Sequence, residues 1–239
     1  MSSSRRLDSS KIVDTLKELQ RRISERFPDS GLARVSLDLV AVATENEATV
    51  RNIHRGGDGF RLGITVVLVI VFAGIAAWII PFADGLRWAP QHGVDLITMV
   101  EAMIATVVFI GAAIIYIMSL DTKSKRQRAR RKLFELRAIA HVVDMHQLHK
   151  DPDRIRRVGQ STASTPEFDM TPFELGRYLD YCSEMLSLIS KIGALYVQGY
   201  DDADAISGVV ELENLTAGLA RKVWQKIMIL DGMMDRDHV

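Results

Sequence analysis

His141, Asp144, His146 and His149 crowd into the stretch AHVVDMHQLHKDP, and imidazole with carboxylate is a ligand set for Zn, Mn or Fe. Ligation from one helix needs residues three or four apart on a shared face. Only His141 with Asp144, and His146 with His149, meet that spacing, and the two pairs point in different directions. One helix therefore cannot close a metal site. A carboxylate from a neighbouring helix, such as Asp180 or Glu184, would have to complete it as in carboxylate-bridged bundles. The HExxH pattern is absent, so polar contacts at a helix end are the plainer expectation.

Glu101 is the second candidate, because it is the one ionisable residue within a long apolar stretch. On a helical wheel it shares a small, polar face with Thr98, Ala105, Ala112 and Ser119. Such a face suits close helix packing, and in an oligomer it could line a water-filled path with a ring of carboxylates. Glu101 also lies only six residues beyond Asp95, or ~9 Å at the helical rise, shallow enough to reach water or Arg87.

The third candidate is the basic run Lys123, Lys125, Arg126, Arg128, Arg130, Arg131 and Lys132, which contains no acid. Clusters of this size beside a membrane span attract anionic lipid headgroups, at about 1 kcal/mol per residue near the surface. The same run is a topology signal. Nucleic acid is not an expected partner, since the chain as a whole carries no net charge. The fourth candidate is the set of broad apolar faces on the soluble helices, which suit a core, a second copy or a partner.

The elements that position these residues are set by two uncharged apolar runs. Leu62 to Phe82 and Ala102 to Leu120 contain 21 and 19 residues, against the ~20 a helix needs to cross a bilayer. They predict a two-span transmembrane helical hairpin, with spans at about 62–82 and 95–120. Arg51, Arg55 and Arg61 precede it and the basic run follows it, whereas the connector holds only Arg87 and His92. That distribution places both termini in the cytoplasm and the chain in the plasma membrane. Trp78 and Trp88 fall at the outer boundary and Tyr116 near the inner one, as interfacial rings do. No signal peptide is visible in the polar first 60 residues. The single cysteine, Cys182, excludes an internal disulfide and a cysteine-based zinc site.

The rest of the chain reads as all-α. A helical N-terminal region occupies 1–59, the hairpin 60–121, and a C-terminal helical bundle 122–239 with a loop at about 151–171. Ile12, Leu16, Leu19 and Ile23 form a narrow stripe, with Asp8, Ser9 or Ser10 available as the cap and Pro28 beyond the end. From 32 to 55 helical and alternating spacings compete, and helix is favoured because a lone strand would have no partner. Gly56, Gly57 and Gly59 break it before the first span.

Three long C-terminal helices follow. The first carries Leu133, Leu136, Ile139, Ala140 and Val143 on one face. Thr171-Pro172-Phe173-Glu174 starts the second as a capping box, with Leu175, Leu179, Cys182, Leu186, Ile189, Gly193 and Val197 as its stripe and Gly199 as its stop. The third runs from about Ala203 to Leu230 with Leu212, Leu215, Leu219, Val223, Ile227 and Leu230 inward.

No catalytic signature or P-loop is present, and neither is the magnesium-channel GMN tripeptide. The expectation is a non-enzymatic membrane scaffold or regulatory module without a cofactor, binding itself or a protein partner through its cytoplasmic helices. A subunit of a small oligomeric channel with Glu101 on its pore or packing face ranks second, and a membrane-tethered metalloenzyme third.

Overall fold

The computed structural model describes residues 6–46, 63, 65–69, 71–74, 92–155, 164, 169–198 and 202–235. Regular structure among them is entirely helical, with no strand. The chain divides into two compact units, one combining Met1–Arg51 with Arg126–Val239 and the other Asn52–Lys125.

In the first unit, α1 (Ser9–Arg26) is capped by Asp8, whose carboxylate accepts from the Ser10 amide at 3.0 Å. Its expected stripe, Ile12, Leu16, Leu19 and Ile23, is buried together with Val13. The ambiguous segment resolves as helix over 31–46, here α2, burying Leu32, Val35, Leu39 and Ala43 at spacings of three and four. Residues 47–55 and the glycines at 56, 57 and 59 lie outside the described residues.

Helix α3 runs His92–Leu148, and Asp151 then caps a 3-10 turn over Pro152–Arg154. Helix α4 (Pro172–Ala194) opens on the expected capping box: the Glu174 amide donates to Thr171 Oγ1 and the Thr171 amide to Glu174 Oε2. Helix α5 (Ala203–Met234) is capped by Asp202. Most of the expected core positions are buried, while Ile139, Val197 and Leu215 are only half-buried and Thr216 takes an inward place instead. Gly199 and most of the 156–168 loop lie outside the described residues.

Pairings between helices fix their directions. Leu7 meets Gln198, Arg22 meets Glu184, and Phe27 meets Tyr178, so α1 runs antiparallel to α4. Gly193 lies beside Leu212 and Gly176 beside Leu230, so α4 runs antiparallel to α5. Arg126 pairs with Asp202, Arg137 with Glu211, and Lys226 with the Gln147 carbonyl, making α5 parallel to α3. Glu45 pairs with Lys132 and Gly31 touches His146, making α2 antiparallel to α3. The end of α2 and the Arg126 end of α3 therefore lie at one end of this five-helix body.

Three glycines sit where a side chain would crowd its neighbours. A Cβ on Gly193 would lie 2.6 Å from Leu212 Cδ2, and one on Gly208 3.0 Å from Leu133 Cδ1, so α3, α4 and α5 close around Leu133. At the opposite end the His146 ring lies directly on Gly31, leaving no room for a Cβ. Burial, and secondarily Arg34, holds the His146 imidazole below its ordinary value of 6.5. The folded state thus binds a proton less readily than the unfolded chain. His146 contributes stability that is complete above about pH 6.5 and is lost as pH falls through its folded value.

Gly31→Leu should displace this ring, cost about 2 kcal/mol, and flatten the pH dependence between 7.5 and 5.5. Denaturant titrations at the two pH values check both effects.

In the second unit, the first apolar run is described as helix over Thr65–Gly74, and the basic residues before it, Trp78, Asp84, Arg87 and Trp88 lie outside the described residues. Among the described residues one helix is long and apolar enough to cross a membrane, the stretch of α3 beginning at Ile104. None of its apolar window is buried. Phe109 is 76% exposed, and Val108 and Ile115 are similarly open. Two of its hydroxyls turn back onto the helix, Thr106 donating to the Ala102 carbonyl and Ser119 to that of Tyr116, which satisfies these two without water.

Candidate functional site

The histidine cluster sits at the last turns of α3, and the structure scatters its members. His141 and His149 are exposed, His146 turns onto Gly31, and Asp144 accepts from Gln147 Nε2 at 2.7 Å. The carboxylates that could complete a metal site are engaged elsewhere, Asp180 with Arg177 and Glu184 with Arg22, each at 3.0 Å. Among the described residues no group of three or more His, Cys, Asp or Glu side chains could hold a metal ion.

What the helix end does is structural. Lys226 Nζ donates to the Gln147 carbonyl at 2.8 Å, and a cation there suits the negative end of α3. Burial lowers the Lys226 and Lys150 ammonium groups from their ordinary values. Lys150 also lies 5.4 Å above the Tyr178 ring. Cys182 is completely buried and its thiol is pushed up to about 12 by that burial, so it carries almost no thiolate at neutral pH.

The basic run divides by helical phase. Arg126 is bonded to Asp202 at 2.8 Å and Asp204 at 2.9 Å. Lys132 is buried and bonded to Glu45 at 2.8 Å and Glu135 at 2.9 Å. Burial works against its charge, but the two carboxylates outweigh it and raise the ammonium above its ordinary value. These two residues assemble the bundle. Lys123, Arg128, Arg130 and Arg131 are exposed and Lys125 is half-buried. Of the run, it is these exposed four that present their charge most openly to solvent.

On the intramembrane candidate face, Thr98, Glu101, Ala105 and Ala112 are exposed and Ser119 is half-buried. A carboxylate among open apolar side chains calls for water or a protein neighbour rather than lipid.

Two features were not singled out from the sequence. One is a groove of about 810 Å³ between α1, α4 and α5, where Ile12, Leu188 and Ile227 meet Lys11, Lys191 and the 57% exposed Trp224. It requires helix pairings that spacing alone does not give. The other is the outward face of α3, where Phe134, Met145 and Leu148 are all more than half exposed. The second could have been found, because these residues fall opposite the buried positions Leu136, Ala140 and Val143.

Comparison with protein-family models, curated proteins and solved structures finds no match to this chain.

Proposed function

We propose that this protein is a membrane-anchored, non-enzymatic interaction module: 52–125 crosses the plasma membrane as a two-span hairpin, and the five-helix body is a cytoplasmic scaffold or regulatory surface. One observation carries the reading. Residues on both sides of 52–125 fold into a single body, and the chain leaves that body from the end of α2 and rejoins it at Arg126 at the same end. A chain that leaves and rejoins one soluble body must cross a bilayer an even number of times. A pair of crossings needs two apolar runs, which the sequence supplies at 62–82 and 102–120.

The basic residues support the orientation. Arg128, Arg130 and Arg131 are exposed near that end of the body and Lys123 is exposed just before it in sequence, and the positive-inside rule places such residues in the cytoplasm, where anionic headgroups are the expected lipid partners. The module reading rests further on what the described residues present, open apolar helix faces and a groove. The test is the sidedness of the two termini and of the connector in sealed vesicles.

Glu101 favours a second reading, a subunit of an oligomeric channel or transport accessory. Its exposed carboxylate, with Ala105 and Ala112 on the same face, suits the packing or pore surface of several hairpins together.

A further inference from the structure

The groove between α1, α4 and α5 has two unlike ends. Ser183, Ser187 and Leu188 of α4 lie along it, and the two small serines leave a depression between α1 and α5, which both pack on α4. The pairings of Leu7 with Gln198 and Arg22 with Glu184 set the start of α1 beside the end of α4, while Gly176 against Leu230 sets the later turns of α5 beside its start. Arg6, Lys11 and Lys191 therefore gather at one end of the groove, and Trp224 and Ile227 line the other. From Asp180 to Lys191 the α4 side of the groove is ~16 Å long at the helical rise.

Its charge is unbalanced. Of the acids along it, Asp180 is bonded to Arg177 and Glu184 to Arg22, cations that lie outside the lining, and Asp8 accepts from the Ser10 amide and hydroxyl as the cap of α1. Among the described residues Arg6, Lys11 and Lys191 form no ion pair, and Lys191 donates to the neutral Ser187 hydroxyl and carbonyl. Three unpaired cations against the Asp8 carboxylate leave a positive excess at that end. Ile12, Leu188 and Ile227 give the groove its apolar lining, and the Trp224 indole, 57% exposed, is a large aromatic surface left in water at the far end.

We propose that this groove binds a single-chain amphiphile with an anionic head, of the fatty-acid type. The carboxylate lies among Lys11, Lys191 and Arg6, and the alkyl chain runs past Leu188 toward Ile227 and the Trp224 indole. The groove volume of about 810 Å³ falls within the ~300–1,000 Å³ of small-molecule sites, and its length is about the reach of an extended dodecyl chain. Each half of such a ligand meets what the groove lacks: the cations gain a carboxylate, and the indole is covered. A small polar anion would leave Trp224 open, and an uncharged hydrocarbon would leave the cations unused. The groove lies wholly within the body formed by Met1–Arg51 and Arg126–Val239, so the inference goes beyond the module reading and holds whether or not 52–125 crosses a membrane.

Trp78→Phe with Trp88→Phe leaves Trp224 as the only indole of the full chain, and so makes it the reporter. The protein, free of detergent in nanodiscs of zwitterionic lipid, is titrated with dodecanoate and separately with dodecyltrimethylammonium, which has the same tail and the opposite head. Dodecanoate should move the Trp224 emission saturably to shorter wavelength, and the ammonium should leave it unchanged. Lys11→Glu with Lys191→Glu should weaken dodecanoate binding at least about tenfold. Lys17→Glu with Lys222→Glu, the same charge change at exposed positions outside the groove, should not. Ser187→Phe, which fills the groove from an exposed position, should abolish the shift with helix content unchanged.

A dodecanoate response that is absent or does not saturate overturns the proposal. So does an equal response to the two amphiphiles, which would make the groove unspecific apolar surface, or unchanged affinity in the Lys11 and Lys191 double variant. If that variant melts below the parent protein, Ser187→Phe decides: retained binding overturns the proposal, and lost binding with parental melting supports it.

Discussion

Leu16→Asp should lower the melting midpoint of the detergent-solubilised protein by about 10 °C and release α1 to protease. Leu16 has no exposed surface and lies on the face that α1 turns toward α4. Truncating such a leucine to Ala costs about 3 kcal/mol, and a carboxylate in its place adds the desolvation of a charge with no partner nearby. At ~2–4 °C per kcal/mol for a chain of this size, the shift follows. Lys17→Asp, one residue away and exposed, should leave the midpoint within a degree or two. The pair is informative because α1 holds the body together across the whole sequence: Leu7 donates to Gln198 and Arg22 bonds Glu184. If Leu16→Asp melts like the parent protein, α1 does not dock, and the argument from one shared body fails with it.

The second large effect lies at Asp202. Its buried carboxylate caps α5 by accepting from the Ala205 amide at 3.0 Å and receives Arg126 Nε at 2.9 Å. Burial opposes its ionisation, but the Ala205 amide and the Arg126 guanidinium outweigh it and hold the carboxyl below its ordinary value of 3.8. Asp202→Ala removes both the cap and the ion-pair partner, an expected loss of about 2–3 kcal/mol. Asp202→Asn keeps a capping oxygen and loses only the charge, so it should fall between Ala and the parent. The sign of the pH dependence follows from the lowered value. Stability from Asp202 is complete above about pH 4 and is lost as pH falls through its folded value, and Asp202→Asn should flatten that acid limb. Equal stability of the Ala and Asn variants would mean that the cap contributes nothing.

Much of this architecture is legible in the sequence, where local chemistry alone decides it. The Thr171 to Glu174 box needs only four residues, and the α1 stripe only a 3.6-residue period. The register of α5 is harder. Leu215 is half-buried while the polar Thr216 is inward, because Thr216 returns its hydroxyl to the Leu212 carbonyl at 3.0 Å and so needs no other partner. The basic run shows what single-residue reading misses. Lys132 stands four residues before the buried Leu136, on the apolar face, so its phase announced burial, but its partner Glu45 lies far earlier in the chain and nothing local names it. His146 is similar: as a residue type it suggested a ligand, whereas Gly31, far earlier in the chain, makes it a packing residue. The large distances in sequence between such partners are what a chain folded from both sides of its apolar segment produces.

The most direct measurement is the sidedness of three positions. Ser3→Cys, Gln91→Cys and His238→Cys, each alone in the full chain, are treated with a membrane-impermeant maleimide in intact cells and in inverted vesicles, where the buried Cys182 stays unlabelled. The hairpin predicts that Gln91→Cys reacts in intact cells only, and that Ser3→Cys and His238→Cys react in inverted vesicles only. Labelling of Ser3→Cys and His238→Cys from opposite faces, or of all three from the same face, would contradict it.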